Sequence, residues 1–123
     1  MHELREAERE DQEQAPEVKL LLVGHGERRW LLNELLPQLD ELEAPGAVAE
    51  SERPAAIASL HSMWHDARLR AEQTERAFVA VAGAHVDDPE LRGSAERFHG
   101  QVRSLREIIA HRVDALTRSS DAA

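Results

Sequence analysis

Residues Pro54–Ala82, PAAIASLHSMWHDARLRAEQTERAFVAVA, decide the fold. The stretch has no glycine, and its one proline stands at the front. Ile57, Leu60, Trp64, Ala67, Ala71, Thr74, Phe78 and Val81 follow one another at alternating steps of three and four. That is the spacing of one face of an α-helix. Beside this seam runs a second stripe, His61, His65, Arg68, Glu72 and Glu75. Imidazoles and carboxylates next to a buried face are the residue types that bind metals.

The flanking segments read the same way. Upstream, Ala15-Pro16-Glu17 marks a helix start, with proline and an acid in the first turn. The predicted seam of that helix is Leu21, His25, Arg28, Leu32, Leu35, Leu39 and Leu42, which sets His25 and Arg28 on an otherwise apolar face. Pro37 removes a backbone donor and crowds the carbonyl of Asn33, so a kink or break is expected there. Ala44-Pro45-Gly46 ends the helix, and Ser51 is the expected N-cap of the next. Downstream, Gly83 reads as the residue just past the second helix, and Asp87 or Asp88 as the cap of the third. The third seam is Leu91, Ala95, Phe98, Val102, Leu105, Ile109, Val113 and Leu116.

The prediction is therefore an all-α chain, an up-down-up bundle of three long helices joined by short connections. Its expected divisions are a polar, frayed arm at 1–15, a bundle at 16–118 and a disordered tail at 119–123. Three helices leave part of each apolar stripe uncovered, and a two-fold homodimer is the expected cover.

Bulk properties narrow the function classes. The 123 residues fit one domain, and with a net charge of −9 and no basic patch, nucleic acid is not expected as a partner. The single lysine and 14 arginines are dispersed among acids. No cysteine is present, which removes disulfides, thiolate metal sites and cysteine nucleophiles. The polar N-terminus does not read as a signal peptide, and no apolar run approaches the roughly 20 residues that cross a bilayer. A soluble cytoplasmic protein with no membrane partner is expected.

Loop positions set which residues share a height. A first loop centred near residue 48 and a second near residue 85 place His25, Glu72 and His99 in one layer, to within about one turn. Glu75 and Glu96 come out close to that layer. The same count sets His61 and His65 level with Glu107 and His111. His61/His65 and Glu107/His111 are i, i+4 pairs and Glu96/His99 an i, i+3 pair, so each shares a helical face. The candidate metal ligands are His25, His65, Glu72 and His99, with His61, Glu107 and His111 as a second cluster.

Two families are resembled. VKLLLVGHGERRW is similar to the opening strand and loop of the histidine phosphatase family, with His25-Gly26-Glu27 matching and Gly24 in place of the required arginine. That resemblance implies a strand from Val18 and His25 as nucleophile. A broader one spans most of the chain. His25 before the leucine-rich run to Leu36, His65 some 40 residues on, and Glu96 with His99 before Val102 resemble the hemerythrin-like HHE cation-binding family. The resemblance implies a di-iron site. The carboxylate expected four residues after His65 falls at Leu69, and the fourth helix is missing.

Two functional readings stay open, the first leading and the second its alternative. One is a metal-binding bundle, with iron or zinc held by His and Glu between helices. The other is a metal-free module that binds a copy of itself or a partner helix. An enzyme ranks third, since no feature names a substrate.

Overall fold

A computed structural model of the chain describes residues 15–121, with side chains through 119. The expected arm lies outside the described residues except for Ala15. The described residues contain only helices and turns, with no strand. The segment at Val18, a strand if the histidine phosphatase resemblance held, is helical.

Helix α1 spans Pro16–Trp30 and opens as its sequence requires. Ala15 is extended (φ −54°, ψ 133°), proline occupies the first turn, and the Ala15 carbonyl accepts from Val18 and Lys19. A π-helical turn, Leu31–Leu35, joins α1 to α2, Leu36–Glu43. The backbone stays right-handed helical throughout, and the Leu36 N–H reaches back five residues to the Leu31 carbonyl. Pro37 is the physical cause at hand. It cannot donate to Asn33, and its ring crowds that carbonyl, so the preceding turn widens.

This one-residue insertion corrects the predicted seam. The buried positions are Leu20, Gly24, Glu27, Leu31, Leu35, Leu39 and Leu42. Leu35, Leu39 and Leu42 are as expected. Upstream of Leu35 the face is rotated by one residue, so Leu21, His25, Arg28 and Leu32 are exposed.

After α2, Ala44 turns extended and Gly46 takes a positive φ of 74°, a conformation that costs a glycine little. Helix α3, Arg53–Ala84, starts two residues past the expected Ser51 cap. Its first residue is tied to the previous helix by Arg53 Nη1 donating to the Leu42 carbonyl at 3.0 Å. Gly83 lies inside α3 rather than after it, and His85 takes the terminal position. Helix α4, Pro89–Asp121, is capped by Asp88, whose Oδ1 accepts from the Leu91 N–H at 3.1 Å. Its helical end at Asp121 extends past the bundle limit expected at 118, into the predicted tail.

Cross-helix bonds give the directions. Glu17 meets His85, and Leu42 meets Arg53, so α3 runs against α1 and α2. Glu75 meets His99, and His61 meets Thr117, so α4 runs against α3. Arg112 pairs with Asp40 and Glu43 on α2.

The core comes in two apolar clusters. The larger unites Leu31, Leu35, Leu39 and Leu42 with Leu60, Ala67, Ile109, Val113 and Leu116. The smaller holds Leu20, Ala77, Val81 and Ala95. Each fully buried leucine or isoleucine contributes about 1.5–3 kcal/mol. No described helix is long and apolar enough to cross a membrane.

Candidate functional site

Between the two apolar clusters lies a polar layer, built by one short stretch from each long helix. Glu27 comes from α1, Thr74 and Glu75 from α3, and His99 and Arg106 from α4. The Glu27 side chain is 1% exposed, and both its oxygens accept from one guanidinium: Arg106 Nε at 2.5 Å and Nη2 at 2.8 Å. This is a bidentate, charge-assisted pair, the strongest kind of side-chain hydrogen bonding. The remaining Arg106 nitrogen, Nη1, donates to Glu75 Oε1 at 2.7 Å. Glu75 Oε2 in turn accepts from His99 Nε2 at 2.7 Å. The His99 ring stacks on Phe78 with centroids 4.0 Å apart and planes 7° from parallel.

Four side chains thus form one chain of bonds, Glu27–Arg106–Glu75–His99, across three helices. No buried side-chain nitrogen or oxygen among the described residues lacks a partner. Burial pulls the Arg106 guanidinium down, and the bonds from Glu27 and then Glu75 more than offset it, so its pKa is raised. Burial pushes Glu75 up, but the hydrogen bonds from Arg106 and His99, with their charges, hold it below the usual 4.5.

Local packing sets the layer's height. Gly24, one turn before Glu27, faces the Phe98 ring so closely that a Cβ there would overlap it. The absent side chain lets α1 and α4 approach, which puts Glu27 within reach of Arg106.

The other predicted ligands are placed as follows. His25 is exposed on α1, its ring 4.9 Å from Phe98 and tilted by 54°. Glu72 and His65 are exposed on α3. Within the expected layer of His25, Glu72 and His99, His99 bonds Glu75 rather than Glu72. His61 bonds Thr117 Oγ1 at 2.8 Å, and that hydroxyl donates to the Val113 carbonyl, so His61 is the donor. Thr117 lies six residues beyond His111, about 1.7 turns from the expected level. Glu107 and His111 are exposed on α4, lining a shallow hollow of about 420 Å³ with Asp114 and Ile108. Among the described residues no group of three or more His, Asp or Glu is placed to hold a metal ion.

Sequence reading missed Glu27 and Arg106. A signal exists for both. Leu20, Gly24, Glu27 and Leu31 are spaced as a seam, and Arg106 stands four residues after Val102 and three before Ile109.

Comparisons of the chain with family models, with curated proteins and with solved structures each find no match.

Proposed function

We propose that the chain is a metal-free helical interaction module, which binds a second copy of itself or a partner helix through apolar surface the three helices leave uncovered. One observation carries the reading. Where two carboxylates and an imidazole converge between the helices, the positive charge is already supplied by Arg106. Glu27 spends both oxygens on that guanidinium, and Glu75 spends one on it and one on His99. Donors bound in this way are not free for iron or zinc, and the layer serves to fix helix register. Surface features agree: Val18, Leu21, Leu22, Leu32, Leu69, Val79, Val86 and Ile108 are large, apolar and at least 40% exposed. Four of them, Val18, Leu21, Leu22 and Leu32, lie on α1 and the turn after it, and an apolar patch gathered on one element is a candidate interaction surface.

The metal-binding reading keeps one supporting feature, Glu107 and His111 at i, i+4 in the same hollow on α4. Elemental analysis of protein purified without chelator separates the two. The module reading expects no stoichiometric iron, zinc or manganese and a melting temperature unchanged by EDTA. Near-stoichiometric metal that is lost in His65→Ala or His111→Ala would sink it. Light scattering at two concentrations then reports self-association.

A further inference from the structure

Resting on the module reading, we infer that the outer face of α1, with the groove it makes against α4, is the docking site for an acidic amphipathic helix of a partner protein. The face is apolar in a helical pattern. Val18, Leu22, His25, Arg29 and Leu32 recur at steps of four and three, with Leu21 and Arg28 beside them. All seven are exposed, Leu22 to 61%. Helix α1 and the turn after it therefore supply four of the large exposed apolar side chains of the described residues: Val18, Leu21, Leu22 and Leu32. Along its edge runs a groove of about 180 Å³ lined by Leu20, Leu21, Leu91, Ala95 and Phe98, with Glu17, bonded to His85, also in its wall. From Val18 to Leu32 the stripe spans about 20 Å, the length of a four-turn partner helix.

Charge selects the occupant. Helix α1 carries five ionisable residues other than His25: Glu17, Lys19, Glu27, Arg28 and Arg29. Its two acids are already used, Glu17 by His85 at 2.8 Å and Glu27 by Arg106. Lys19, Arg28 and Arg29 form no ion pair among the described residues. On the α4 side, Arg97 bonds Ser94, which also lines the groove. Glu34, in the turn after α1, and Glu90, in the first turn of α4, are exposed acids. A chain of net charge −9 thus displays an apolar stripe crossed by two unpaired arginines, Arg28 and Arg29. A second copy presenting the same face in parallel would set Arg28 and Arg29 against themselves. A helix with leucines on one face and glutamates flanking them matches both the stripe and its charge.

The test uses the full chain and two dye-labelled 18-residue peptides with leucines at the same heptad positions, one with glutamate and one with lysine elsewhere. Fluorescence anisotropy should show the glutamate peptide binding at least tenfold more tightly than the lysine peptide, with affinity falling as salt rises. Leu22→Asp and the pair Arg28→Glu, Arg29→Glu should each weaken it at least tenfold. Leu69→Asp, on α3, should leave it unchanged. Circular dichroism melts check that each variant folds, which the exposure of these side chains favours. Equal binding of the two peptides, no binding, or indifference to Leu22→Asp overturns the assignment. Concentration-dependent self-association that Leu22→Asp abolishes also overturns it, giving the face to a second copy. Self-association that survives Leu22→Asp without peptide binding removes this face and leaves the module reading standing.

Discussion

Replacing Arg106 by methionine is the sharpest probe of the polar layer. Methionine keeps the length of the side chain and removes the guanidinium. Glu27 is then left 1% exposed with both of its hydrogen-bond donors gone. An uncompensated buried charge of this kind costs about 3–5 kcal/mol. For a bundle of this size that corresponds to a fall in melting temperature of about 12–20 °C. The opposite single change is milder. In Glu27→Leu, Arg106 is partly exposed and still bonded to Glu75, so the expected cost is about 1–3 kcal/mol. The double variant Glu27→Leu, Arg106→Met has no orphan charge and should return to within about 1 kcal/mol of the parent, since a buried pair roughly breaks even against apolar residues. Urea unfolding followed by far-ultraviolet circular dichroism measures all three. A cost below about 1 kcal/mol for Arg106→Met, or a double variant no more stable than that single one, would refute the account of the layer.

Acid should weaken the same layer. Glu75 has a folded pKa held below its usual 4.5, so its contribution is fully present above pH 4.5 and disappears as pH falls through the lower folded value. Glu75→Gln should flatten that acid limb in a pH series of urea midpoints, and an unchanged limb would refute the assignment. Gly24→Ala gains about 1 kcal/mol of helix propensity but overlaps Phe98, so the net effect should be destabilising by up to about 2 kcal/mol. With Phe98→Leu already in place, Gly24→Ala should become neutral or stabilising, and thermal melts of the four-member cycle read the sign. Asp88→Ala removes the cap of α4 and should cost about 0.5–2 kcal/mol, visible as a lower urea midpoint with unchanged slope.

The helical fold was legible because α3 and α4 keep one phase from end to end. Every residue of the two predicted seams, from Ile57 to Val81 and from Leu91 to Leu116, is buried or half-buried. The first helix was legible only downstream of Leu35. A 3.6-residue period run backwards through Leu31–Leu35 loses one residue to the π turn, so it lands on His25 and Arg28 instead of Gly24 and Glu27. Pro37 announced a disturbance, but its form depends on how the freed carbonyls find partners, which local sequence does not decide. The polar layer was hidden for a related reason. Seam reading assigns charged residues to the flank, and Glu27 is recognised as inward only once the phase of Leu20 and Leu31 is known. Counting from the loops came within a turn for His99, set level with Glu72 where its bond goes to Glu75, but missed by more than a turn for His61, whose bond goes to Thr117.

The widened turn at Leu31–Leu35 decides which of two stripes α1 shows to water. One extra residue rotates everything upstream by about 100°. Straightening that turn with every residue kept would let an unbroken 3.6-residue helix run through the site. Leu21, His25, Arg28 and Leu32 would swing toward α3, and Glu27 would swing out, away from Arg106. The form of one turn thus separates a basic, greasy outer surface from a buried one.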